Sequence, residues 1–182
     1  MTKENVTTGA TAAENVGLQQ LVVQLNVLRR LGCAVVDNRG HRINGVVLNG
    51  ADRVSLVQSI ASQTGMVIIE ESALVFSTTF RGSPRLNPVK TAFENAIRVS
   101  RRLQTPVLLY IQNFEEIGSR TATGLSESDY YELGNKMLDE LRKLDCNDEN
   151  KVFVVVSSAV EVDMPFTVAG RLPRLEAFCA DY

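Results

Sequence analysis

The 182-residue chain has no tryptophan, one histidine and three cysteines, and each scarcity closes off a class of chemistry. A single histidine, His41, leaves a Ser-His-Asp or Cys-His site with one candidate base. It stands in "DNRGHRING", a run of turn residues, where a solvated side chain is the expectation. Cys33, Cys146 and Cys179 are odd in number and widely spaced, with no CxxC pair. Neither a disulfide framework nor a zinc site is expected from them, and no metal-ligand set is assigned. Free thiols point to a reducing compartment and hence to the cytoplasm. No apolar run approaches the roughly 20 residues of a membrane helix, which argues against direct membrane insertion. Nor is there an excess of one charge: 19 basic against 21 acidic residues gives a net charge of −2. A basic face for nucleic acid is therefore not expected.

What is present is an ordinary core-forming composition, 45% hydrophobic and 22% charged, long enough for one medium domain. Residues 1–14 are polar and rich in small side chains, without the apolar centre of a secretory signal, and read as a flexible arm. Residues 15–182 read as one domain. Leu18, Leu21, Val22, Leu25, Leu28 and Leu31 recur at helical spacing, with Gly32 placed to end the helix. Further helices are expected over "RVSLVQSIASQT", "VKTAFENAIRVSRRL" and "DYYELGNKMLDELRKL", whereas "SALVFSTTFRGSPRLNP" reads as mixed, broken by Gly82, Pro84 and Pro88. The strands "GVVL", "MVIIE", "PVLLYI" and "VFVVV" are apolar throughout instead of alternating. Strands covered on both faces look like this. Alternation of strands and helices gives the same answer. The expected fold is a three-layer α/β/α domain with a mainly parallel, five-stranded sheet, the last strand falling near the end of the chain.

One stretch raises a specific question. "GVVLNGADRVSLVQSIA", residues 45–61, reads as strand, glycine turn and helix, the layout of a phosphate-binding loop. Such a loop wraps phosphates with consecutive backbone N–H groups, which its glycines allow. Only Gly50 is available here, and Val54 stands where a Ser or Thr would reach Mg²⁺. Arg53 occupies the place of the lysine, either as a phosphate partner or as a solvated arginine at a helix start.

The order and spacing of these elements resemble the large subdomain of AAA+ ATPases, over about residues 15–182. The P-loop NTPase fold is what that resemblance implies. "VVLNG" and "SLVQSIA" match the flanks of the family's Gly-Pro-Pro-Gly-Thr-Gly-Lys-Thr loop, with about three residues missing between them, so that Gly50 and Arg53 are what remains of the cofactor site. In "PVLLYIQNFEEI", Gln112 takes the position of the family's Mg²⁺-binding Asp, and Asn113 that of the catalytic Glu. An amide supplies neither the negative charge nor the proton acceptor. Glu115 and Glu116 follow further along the turn. In "VFVVVSSAVEVDMPF", Ser157 or Ser158 stands where a sensor residue, usually Asn, orients water. "AGRLPRLEAF" resembles the segment at the subunit boundary. Arg171 matches an arginine finger acting on a neighbour's nucleotide, Arg174 the later arginine, and Val168 falls at the other finger position. "TTFRGSPRLN" resembles the pore loop, with Phe80 as the aromatic that grips substrate or, alternatively, as a core residue.

The family's lid would begin where "FCADY" stands, and the resemblance implies that a lid is absent. It further implies a catalytically inactive, structural or regulatory member of a hexameric unfoldase, with other AAA+ modules and a protein substrate as partners. The types suggested are those of peroxisomal biogenesis and of valosin-containing protein, recruited from the cytoplasm to an organelle surface. ATP and Mg²⁺ are not expected as working cofactors. Two alternatives stand beside this: a nucleotide-binding ATPase with atypical motifs using Arg53 and Glu115, and a plain α/β interaction domain.

Overall fold

A computed structural model describes residues 12–50, 53–145, 151–167 and 172–175. Helix α1 (Ala12–Leu31) leads into a short antiparallel pair, β1 (Val35–Val36) with β2 (Arg42–Ile43). Then come β3 (Gly45–Asn49), α2 (Val54–Thr64), β4 (Val67–Ser72), α3 (Ala73–Gly82), α4 (Pro88–Leu103) and β5 (Val107–Gln112). The one-turn α5 (Glu115–Gly118), the long α6 (Glu127–Asp145), β6 (Val152–Ser158) and the one-turn α7 (Met164–Thr167) complete the order.

The main sheet has four strands in the order β3-β6-β5-β4, every neighbouring pair parallel. Alternate side chains along each strand enter different cores. Val47, Leu109, Ile111, Val154 and Val156 pack with α3, α4, α5 and α6. Val46, Leu48, Leu108, Tyr110, Phe153 and Val155 pack with α1 and α2 on the opposite face. Both faces are covered, which is why these strands read as unbroken apolar runs. The three-layer α/β/α architecture holds. The fifth strand is reduced, among the described residues, to a single parallel bridge between Val47 and Arg174 at the outer edge of β3. The Val47 N–H donates to the Pro173 carbonyl at 2.9 Å.

Helix ends follow local chemistry. Gly32 at φ 70° closes α1, and Gly65 at φ 65° closes α2, both in the left-handed region that glycine enters without strain. The Asn87 side chain caps α4 by accepting the Lys90 N–H at 2.9 Å, with Pro88 in the first turn.

Three expectations need correction. Helix α1 begins at Ala12, so the last residues of the stretch read as an arm, Ala-Ala-Glu, join the helix they favour. The polar loop before β3 contains the β1–β2 pair. Asp37 holds its turn by accepting the Arg39 and His41 N–H groups at 2.9 and 2.8 Å. The segment read as mixed is helical over Ala73–Gly82, because Ala73, Phe76, Ser77 and Phe80 are all buried on one face. Among the described residues no helix is long and apolar enough to cross a membrane.

Candidate functional site

The carboxyl ends of the parallel strands place Asn49, Ser72, Gln112 and Ser158 along one edge of the sheet. In open α/β sheets this edge is where ligands bind. The phosphate-loop remnant, the altered acidic pair and the sensor-like serines are therefore neighbours on one rim, as the sequence motifs require.

At the end of β3, Gly50 adopts φ 103° and donates its N–H to the Ser158 carbonyl at 2.9 Å, tying β3 to β6. That φ strains any residue with a side chain. A Cβ there would lie 2.6 Å from the Arg53 guanidinium, which is folded over the turn. Arg53 is the N-cap of α2 but makes no side-chain cap. Its Nε donates instead to the Asn49 carbonyl at 2.5 Å, and its Nη2 lies 3.8 Å from the Glu14 carboxylate of α1. Only 20% of its side chain is exposed. Arg53 is thus largely buried over the turn, hydrogen-bonded to a carbonyl and near a carboxylate. Its positive charge is already shared between a carbonyl and a carboxylate. Asn49 Oδ1 is buried with no hydrogen-bond partner among the described residues. Ala51 and Asp52 lie outside those residues.

At the end of β5, Gln112 Nε2 donates to Glu70 at 3.5 Å. Asn113 takes φ 54°, a conformation that asparagine tolerates better than most residues, and its Oδ1 accepts the Ser72 hydroxyl at 3.3 Å. The two nearby acids are occupied. Glu115 accepts the Ala159 N–H at 3.2 Å, and Glu116 accepts the Ser77 hydroxyl at 3.4 Å. Among the described residues no cluster of three His, Cys, Asp or Glu side chains is placed to hold a metal.

The serines at the end of β6 point into the protein's own bonding. Ser157 Oγ and Tyr110 Oη are 2.9 Å apart in the buried layer under α2, and Ser158 Oγ donates to the Val160 carbonyl at 2.7 Å. Phe80 corrects the pore-loop expectation. It is fully buried in the core on the α3–α6 face, with the Lys136 ammonium 4.6 Å from its ring centre. An aromatic held there has no surface to offer a substrate. Arg174 pairs with Glu161. Arg171 and Val168 lie outside the described residues.

Two contributors have little signal in the sequence. Glu14 falls in the stretch that reads as an arm, and nothing in the local sequence ties it to Arg53. Tyr110 reads as one apolar residue of a strand. A tyrosine in a buried strand usually needs a partner for its hydroxyl, and that need was the signal available.

No family model matches this sequence, and no curated protein does. Among solved structures, the AAA domain of FIGL-1, determined in complex with ADP, superposes with a TM-score of 0.55 at 16% sequence identity. The match covers 82% of this chain and 46% of that one. The fold is that of an AAA domain. The chain therefore spans less than half the length of that neighbour, and at this identity the likeness carries fold alone.

The resemblance noted from the sequence implies Mg·ATP at the rim just described. The side chains present do not fit it. The space over Gly50 is taken by Arg53, and the strand ends offer amides where a metal shell needs carboxylates.

Proposed function

We propose that this chain is a catalytically silent AAA+ module, serving as a structural or regulatory member of a hexameric protein-remodelling assembly. The observation that carries this reading is the placement of Arg53. Its guanidinium lies over Gly50, bonded to Asn49 and beside Glu14, at the turn that the resemblance matches to a phosphate loop. The substitution of both acidic positions by Gln112 and Asn113 is a separate lesion with the same consequence. A water attacking a phosphate would find no carboxylate at the strand end to accept its proton.

In such an assembly the module holds its place in a ring and hands its edges to active neighbours. Arg171 is proposed to reach a neighbour's nucleotide as an arginine finger. The assembly would act on protein substrates at the cytoplasmic face of an organelle, in the manner of the peroxisomal biogenesis or valosin-containing-protein types. The competing reading, a working ATPase using Arg53 and Glu115, draws on the ADP bound by the FIGL-1 domain. Phosphate release from Mg·ATP separates the two. The expected rate for this chain is indistinguishable from that of its Glu115→Gln variant. Turnover that disappears in Glu115→Gln would establish the competing reading.

A further inference from the structure

Strand β4 differs from its three partners in the sheet. Each of those is buried over nearly its whole length, whereas β4 has no buried residue, its pattern running from exposed Val67 to half-buried Ser72. It is the last strand on its side, paired only with β5, through six consecutive in-register positions from Val67–Val107 to Ser72–Gln112. Among the described residues nothing pairs with its outer edge. An edge of this kind presents a row of free backbone N–H and C=O groups. The strand contains no proline, no lysine and no bulge, and its charged residues are Glu70 and Glu71.

The flanks of the edge are apolar and its far end is acidic. Val67 is 42% exposed at the start of the strand, and Leu74 and Val75, just beyond it on the outer face of α3, are 51% and 57% exposed. Glu70 and Glu71 stand between. Among the described residues Glu70 makes only the long contact with Gln112. Glu71 is half-buried and has no hydrogen bond or ion pair among the described residues, and burial pushes its carboxyl above the usual glutamate value. A partly desolvated carboxylate without a cation is an unfavourable arrangement that a basic partner would relieve.

We propose that the outer edge of β4 is a docking site for an extended peptide of alternating apolar and basic residues, which adds to the sheet as a further strand. Backbone hydrogen bonds supply the affinity of such strand addition, and alternate side chains supply its selectivity. Successive side chains of β4 point to opposite faces, one carrying Val67, Ile69 and Glu71 and the other Ile68, Glu70 and Ser72. The basic residues of such a peptide would therefore meet Glu71 on one face and its apolar residues Ile68 on the other. A second copy of the chain is a poorer occupant, since pairing two such edges brings four carboxylates onto one ladder. The surface lies apart from the Arg53 turn at the other end of the sheet, so the proposal stands whether or not the module is silent toward ATP.

The test is fluorescence anisotropy of the full chain with a labelled peptide of alternating valine and lysine. Its counterparts are the same sequence N-methylated at alternate backbone nitrogens, and one with glutamate in place of lysine. The expected result is micromolar binding of the first peptide, weakened at least about tenfold by N-methylation and by the glutamate exchange. The E70K/E71K double variant is expected to reverse the preference between the lysine and glutamate peptides. The two control peptides require no protein variant, so the proposal remains decidable if E70K/E71K folds poorly. Equal binding of the N-methylated peptide would reduce the contact to charge attraction and overturn strand addition. Absence of binding at millimolar peptide would overturn the site altogether, as would dimerisation of the chain through this edge.

Discussion

Gly17→Ala lowers the stability of this protein by about 2–3 kcal/mol, against the direction that helix propensity alone dictates. Gly17 lies within α1, where alanine is ordinarily the better residue by about 1 kcal/mol. Here, however, a Cβ would sit 2.1 Å from the Leu175 carbonyl oxygen. The obstacle is backbone, and it cannot turn aside as a flexible side chain would. The segment carrying Leu175 is also held to β3 through the Pro173 carbonyl and the Arg174 bridge. The added methyl must therefore push apart α1 and the outermost edge of the sheet. Urea unfolding of Gly17→Ala, with Gln19→Ala as an exposed control on the same helix, measures the effect. A stabilised Gly17→Ala would mean that this close approach does not exist.

Asp163→Ala has a comparable effect, about 3 kcal/mol, for a different reason. One carboxylate oxygen of Asp163 accepts both the Arg120 N–H at 2.8 Å and the Tyr130 hydroxyl at 2.5 Å. It thereby ties α6 and the loop after α5 to the chain leaving β6. Tyr130 is buried, and Tyr130, Tyr131, Leu138 and Phe166 line a groove of about 420 Å³ beside Asp163. Removing the carboxylate leaves the hydroxyl without its acceptor in an apolar wall. Burial first, and then the bond to Asp163, hold the Tyr130 hydroxyl above its ordinary value of 10.0. The folded state thus keeps a proton that the unfolded chain gives up. The contribution is fully present below about pH 10 and is lost as pH rises through the raised folded value. Stability of the parent protein should fall more steeply above that pH than that of Tyr130→Phe, and chemical unfolding at a series of alkaline pH values compares the two. Parallel profiles would show that Tyr130 does not titrate with folding.

Much of the fold was legible because burial on two sides leaves a plain mark. The strand now defined as Val152–Ser158 is apolar over five consecutive residues, and such a run in a chain that alternates strands and helices points to a parallel sheet. The helix Ala73–Gly82 was not legible. Its β-branched and aromatic residues have weak helix preference, Gly82 ends it and prolines follow it. What decides the matter is tertiary, the burial of Phe76 and Phe80 one turn apart. The same burial removes Phe80 from any pore.

The rim of the candidate site was legible as a set of neighbours, because strand ends of a parallel sheet must share one edge. The state of its side chains was not. The sequence leaves Arg53 between a phosphate partner and a solvated cation. The contacts Arg53 makes come from Glu14, far away in the chain, and from a backbone carbonyl that has no sequence signature. Likewise, Ser157 could be assigned a sensor position from its strand end, but only packing shows its hydroxyl facing Tyr110.

The central claim is that Arg53 and the two amides leave no working nucleotide site. Calorimetric titration of the chain with Mg·ATP tests it most directly. The account predicts no measurable heat of binding at millimolar nucleotide, with Arg53→Ala unchanged in this respect. Saturable binding with a Kd near 1 μM, worth about 8 kcal/mol, would contradict it, because the turn over Gly50 would then have to open and accept a phosphate.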